Sequence, residues 1–194
     1  MTLTIAQTYR QSELNNYATQ FGAAAQIAIF NGTAPTDADT AYSANAILVS
    51  LPYTVTTPFG SATAAKPSVI TAAAITTTNV FGTGSYTATF FRSFAQSTGG
   101  VTTLTAGLTY AIQALGSTTT ANWITAGLLA GTGTASVGMC FIAVGGALTG
   151  SGTCFLMNPV EQGTVGAGSG DLSLNTVTLS AGGPLQITSL TRSM

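Results

Sequence analysis

The chain has 194 residues, of which only four are Lys or Arg, five are Asp or Glu and none is His, for a net charge of −1. A soluble domain devotes about a quarter of its residues to charge, and acid–base or nucleophilic catalysis draws on the very side chains that are scarce here. Catalysis is therefore disfavoured from the outset, while an apolar fraction of 45% is too high for a disordered chain and the length suits one domain, alone or with an insertion.

The first residues lack a basic segment followed by an apolar run, so no signal peptide is expected. Residues 8–20 form the one helical window: Tyr9, Leu14, Tyr17 and Phe21 fall near one face, Ser12 or Thr8 offers a cap, and Gly22 offers a stop. Residues 26–30 (QIAIF) read as a strand closed by the Asn31-Gly32 turn. Residues 33–45 read as an exposed acidic loop carrying Asp37 and Asp39. These two resemble a fragment of a Ca²⁺ loop without its Gly and distal Glu, so no metal is expected there.

Strands are predicted at 47–55, with Pro52 marking an edge or bulge, at 69–76, and at 86–94. In the last, Tyr86, Ala88, Phe90, Arg92 and Phe94 alternate with Thr87, Thr89, Phe91 and Ser93. Glu161, after Asn158-Pro159, reads as a turn residue, and Asp171 as a turn cap or a solvent-facing residue at a strand start. Leu172 and Leu174 keep one phase and Val177 and Leu179 the other, which predicts a bulge near Asn175-Thr176. A last strand begins at Leu185, Ile187 and Ser189. Many short strands between turns indicate an all-β protein, a β-sandwich or jelly-roll-like domain with one short N-terminal helix.

From 93 to 160 no residue is charged, and within that stretch 101–153 is dominated by Gly, Thr and Ala. We read it as a small inserted all-β module, hosted by a domain of residues 1–100 plus 154–194. Excising it is expected to leave a folded host. Its most apolar part, 136–148, is too short for a membrane helix and is interrupted by Gly138, Gly145 and Gly146. No membrane partner is expected. The scattered Arg10, Lys66, Arg92 and Arg192 make no footprint for nucleic acid. Cys140 and Cys154 lack metal-ligand spacing; they are two buried small hydrophobes or a cross-strand disulfide. Gly131-Thr132-Gly133 lacks the Lys and Ser/Thr of a phosphate loop. No catalytic, cofactor or metal residue is assigned. Arg92, Trp123 and Phe141 are the candidate interface residues. Arg92 either reaches a neighbouring subunit or marks a solvated face, and Trp123 is an interface anchor or a core residue.

Three motifs carry a resemblance. Ile27-Ala28-Ile29-Phe30-Asn31-Gly32-Thr33-Ala34-Pro35, Thr87-Ala88-Thr89-Phe90-Phe91-Arg92, and Gly170-Asp171-Leu172-Ser173-Leu174-Asn175 running on to Gly182 resemble a family of small tailed-bacteriophage virion proteins. The insertion is similar to a Gly/Thr-rich module of phage structural proteins at Gly107, Tyr110, Ile112, Gly116, Trp123, Gly138, Phe141 and Gly150-Ser151-Gly152-Thr153. The resemblance implies a capsid cement (decoration) protein on the phage head. It would be a homo-oligomer, a trimer at local three-fold positions, and would bind the major capsid protein. A tail, baseplate or fibre-associated component is the alternative implied, and a carbohydrate-binding adsorption module a third.

Overall fold

The computed structural model describes residues 5–21, 25–53, 58–73, 75, 78–185, 187 and 190–194. Gly22, the expected helix stop, lies outside them, as do 54–55, 74, 76 and 189 of the expected strands.

Helix α1 (Gln7–Thr19) fills the predicted window, but neither Thr8 nor Ser12 caps it. Ala6 stands at the N-terminus without a side-chain bond, and Gln20 N–H closes the other end on Tyr17 O. Leu14 and Phe21 are buried as expected, whereas Tyr9 points to solvent and Arg10 is buried in its place.

The strands follow as β1 (Gln26–Phe30), β2 (Ile47–Pro52), β3 (Val69–Thr71), β4 (Thr78–Asn79), β5 (Ser85–Thr87), β6 (Phe90–Gln96), β7 (Thr103–Leu104) and β8 (Thr109–Ala114). Then come helix α2 (Thr120–Ala126), β9 (Cys140–Ile142), β10 (Gly146–Ala147), β11 (Thr153–Ala167), β12 (Leu172–Leu174), β13 (Thr178–Ser180), β14 (Pro184–Leu185) and β15 (Thr191–Ser193). The protein is all-β, as expected, and its organising element is a seven-stranded sheet of order β2-β1-β6-β11-β8-β9, with β12 parallel on β11. The sheet nearly closes on itself. Ser50 of β2 donates through Oγ to Gly138 O at 3.2 Å and accepts from Cys140 N–H at 3.0 Å. One hydroxyl thus bridges the two edge strands at the seam.

Strands β1 and β2 are buried nearly end to end, and so is most of β6, because both faces of the sheet are covered. Ile27, Ile29, Val49, Leu51 and Phe91 face α1 and a long interrupted ribbon in which β3, β4 and β5 pair with β15, β14 and β13. Ala28, Phe30, Phe90 and Phe94 face the other way, into a core completed by Tyr110, Trp123 and Phe141. Phe30 stacks on Phe90 with ring centroids 4.7 Å apart.

Four expectations change. The segment 86–94 is two strands. At Ala88-Thr89 the chain leaves the ribbon for the sheet, with Ala88 N–H on Val177 O and Thr89 N–H on Phe30 O. The phase change near Asn175-Thr176 is a strand end, where β12 leaves β11 and β13 joins β5. Glu161 is in no turn, since β11 runs through it and through Pro159. Pro159 sits at a bulge where the register on β6 slips, beyond the last residue paired with β8, so its missing N–H breaks no ladder bond.

The fourth concerns residues 101–153. Their strands β8 and β9 belong to the main sheet, and their apolar side chains share one core with Ala28, Phe30, Ile47, Phe90 and Phe94. Positions 101 and 153 are therefore no boundary of the core. Nor is the segment wholly β: Trp123 sits on α2, which Thr119 caps by accepting from Asn122 N–H at 3.3 Å. Gly127 ends it at φ +129, where a Cβ would lie 2.0 Å from Ile142 O.

Candidate functional site

With only nine charged residues, the position of each one matters. Arg92, mid-strand on β6, is 2% exposed. Its Nε donates to Gln162 Oε1 at 2.8 Å, and its Nη2 donates to Asp37 O at 2.9 Å and Thr40 O at 2.8 Å. The guanidinium also lies 4.4 Å from the centre of the Tyr42 ring, and Tyr42 in turn stacks on Phe30 and shares a hydrogen bond with Thr109. Gln162 Nε2 donates to Pro35 O at 2.7 Å. Arg92 therefore neither marks a solvated face nor reaches out of the folded chain. It satisfies the carbonyls of the 33–45 loop and holds that loop on the sheet.

Glu161 is the second internal charge. It lies opposite Ser93 on β6. Its carboxylate accepts from Arg192 Nε at 2.8 Å and Nη2 at 2.6 Å, and from Ser93 Oγ at 2.7 Å. Tyr17 of α1 lies beside this group, and burial together with the Glu161 carboxylate pushes its phenol well above the ordinary value. Tyr53 is raised for the same reasons. With Arg192 on both carboxylate oxygens and the Ser93 hydroxyl donating to one of them, the group reads as an internal clamp. Neither partner was singled out in the sequence for this role. The two are 31 residues apart on strands of different ladders, and no local pattern joins them.

Trp123 is 0% and Phe141 1% exposed, and their rings meet edge to face at 5.9 Å. All three candidate interface residues thus lie inside the chain. Trp123 is thus the core residue of its two readings, and neither ring reaches the surface to anchor a partner, since both belong to the core shared with the sheet.

Cys140 and Cys154 are free and buried. Cys140 lies opposite Ala111 and Cys154 opposite Ile112. Neighbouring residues of β8 point to opposite faces, so the two thiols do as well. Burial pushes both up to about 12, and the Cys140 thiol donates to Gln26 Oε1 at 3.2 Å.

Asp37, Asp39, Lys66 and Asp171 are exposed, and Glu13 is half-buried on α1. Asp37 folds back on Asp39 N–H, Thr40 N–H and Thr40 Oγ1, which is the acidic-loop reading. Asp171 accepts from Thr164 N–H and Oγ1 at the start of β12, which is the turn-cap reading. Local donors hold both carboxyls below the ordinary range. The strongly exposed apolar side chains include Leu108, Val137 and Val144, all in the uncharged stretch, with Val144 68% exposed. Among the described residues no group of three or more His, Cys, Asp or Glu converges, and no helix is long and apolar enough to cross a membrane. Comparison with protein-family models, with curated proteins and with solved structures finds no match to this chain.

Proposed function

We propose that this chain is a structural virion protein of a tailed phage that works by binding, and that its place is on the head as a cement protein between major capsid protein subunits. The observation that supports the reading best is the fate of the charges. Arg10, Arg92, Arg192 and Glu161 are wholly or largely withdrawn into the fold, so the surface is poorer in charge than the sequence and is left with hydroxyls, backbone and exposed Leu108, Val137 and Val144. Such a surface gives little colloidal repulsion and suits lasting contact with uncharged protein. A protein that binds only the assembled shell stabilises it by mass action, and a trimer matches a local three-fold position. Against a glycan-binding role stands the scarcity of aromatic platforms: Tyr9 is the one strongly exposed ring among the described residues, at 56%.

Cryo-electron microscopy of particles that contain the chain tests the reading. Density on the capsid faces is the expected result. Density confined to the tail, baseplate or fibres would replace the cement role by a tail role, and absence from the particle would overturn both.

A further inference from the structure

Three pieces of the chain that are distant in sequence are joined into one layer over the sheet. Gln11 of α1 donates to Ala62 O at 3.3 Å, and Asn15 Oδ1 accepts from Ala62 N–H at 2.8 Å. Strand β3 pairs with β15, and Ser68 and Met194 exchange N–H···O bonds in both directions at 3.0 Å. Ala72 N–H donates to Leu190 O at 2.8 Å. Helix α1, residues 58–73 and residues 190–194 thus hold each other by backbone and side-chain hydrogen bonds.

Their hold on the sheet is of another kind. Among the described residues, no backbone group of this layer pairs with the seven-stranded sheet. Leu14, Tyr17, Phe21, Phe59, Ile70 and Leu190 pack on the same core as Ile27, Ile29, Leu51 and Phe91. Aromatic edges continue the contact, with Phe21 and Phe59 at 6.1 and 5.8 Å from Tyr53 at the end of β2. Among the described residues, the layer's hydrogen-bonded link to the sheet is Arg192 of β15 on Glu161 of β11, and just beyond the layer Ile75 bridges to Tyr53 at the end of β2. Arg192 also lies over the Phe91 ring at 5.7 Å.

Apolar burial is non-directional and carries no register, whereas a ladder must break bond by bond. A layer that is internally bonded, and attached by burial and one ion pair, opens as a block. We infer that α1, residues 58–73 and residues 190–194 form a lid that lifts from the sheet as one unit, with Glu161–Arg192 as its latch. Lifting it bares the apolar face of β1, β2 and β6 without disturbing the core around Trp123.

Hydrogen exchange read by mass spectrometry on the full chain tests it. In Glu161→Gln, amides of all three lid segments should exchange roughly tenfold to a hundredfold faster, as expected for loss of a charge-assisted pair. Amides of β6 and β8 should be unchanged. Arg192→Lys, which keeps one charged donor, should accelerate the same segments less. Acceleration of 190–194 without α1 would show that there is no single lid. Equal acceleration of lid and sheet would show that the pair supports the whole fold, which equally overturns the inference. The wild-type protein in sub-denaturing urea gives a second test that needs no variant. There the three segments should converge on one opening equilibrium below that of β6 and β8, and separate openings would refute the lid.

Discussion

Removing residues 101–153 and joining 100 to 154 through a short flexible linker should abolish cooperative folding. The segment looks detachable in sequence, since it is uncharged and compositionally distinct. In the fold it supplies Leu104, Tyr110, Ile112, Trp123, Leu128 and Phe141 to the core shared with Phe30, Phe90 and Phe94. At about 1.5–3 kcal/mol for burying each large side chain, their loss removes roughly 9–18 kcal/mol, against a net stability of about 5–15 kcal/mol for a domain. Strand β11 also loses its partner β8 along residues 154–157, and Ser50 loses both partners at the seam. Urea unfolding followed by circular dichroism, with a dye that reports exposed apolar surface, measures the outcome. We expect a shallow, non-cooperative transition and strong dye binding in the shortened chain. A single sharp transition with no dye binding would refute the shared-core argument and restore an independent host.

Three smaller perturbations test other parts of the structure. Ser50→Ala strands Gly138 O and Cys140 N–H at the seam and should cost about 1–3 kcal/mol by urea denaturation; a loss under about 0.5 kcal/mol would mean the seam closes without it. Asp171 is held below its ordinary pKa by the Thr164 N–H and hydroxyl, so its contribution to stability is present above about pH 4 and is lost as pH falls through the lowered folded value. Asp171→Asn should therefore flatten that part of the profile of melting temperature against pH, and an unchanged profile would rule the contact out as a source. The thiols of Cys140 and Cys154, buried and pushed up to about 12, should resist a thiol-specific reagent at pH 8 until the chain is unfolded. Prompt labelling of either in the native protein would contradict their placement.

What was legible in the sequence was local. The helical window at 8–20 became α1, QIAIF became β1 with its Asn31-Gly32 turn, and the strand-rich, turn-rich composition gave the all-β class. Asp37 stays in the exposed acidic loop expected of it and Asp171 caps the connection before β12, because their donors lie only three and seven residues away along the chain. Trp123 was misplaced on a β module because α2 spans only Thr120–Ala126, two turns that leave little periodicity to read. The cues that do mark it are the Thr119 cap and the Gly127 stop.

The remainder was decided by pairing across long separations. Pro159 argues against a strand wherever its neighbours are unknown, and only the bulge on β6 and the end of β8 make room for it in β11. Arg92 shares the phase of Phe90 and Phe94, a pattern that leaves open whether its charge meets water, and it is buried because the 33–45 loop returns to cover it. Glu161 reads as a turn acid until the C-terminal strand brings Arg192 to it. Residues 101–153 read as separate until β8 and β9 take their places in the sheet. The sequence by itself determined that charge is scarce and that the chain is built of short strands. Only the tertiary structure decided that four of the nine charges, Arg10, Arg92, Arg192 and Glu161, are drawn into the fold, because which face of a strand meets water depends on what distant segment comes to lie on it.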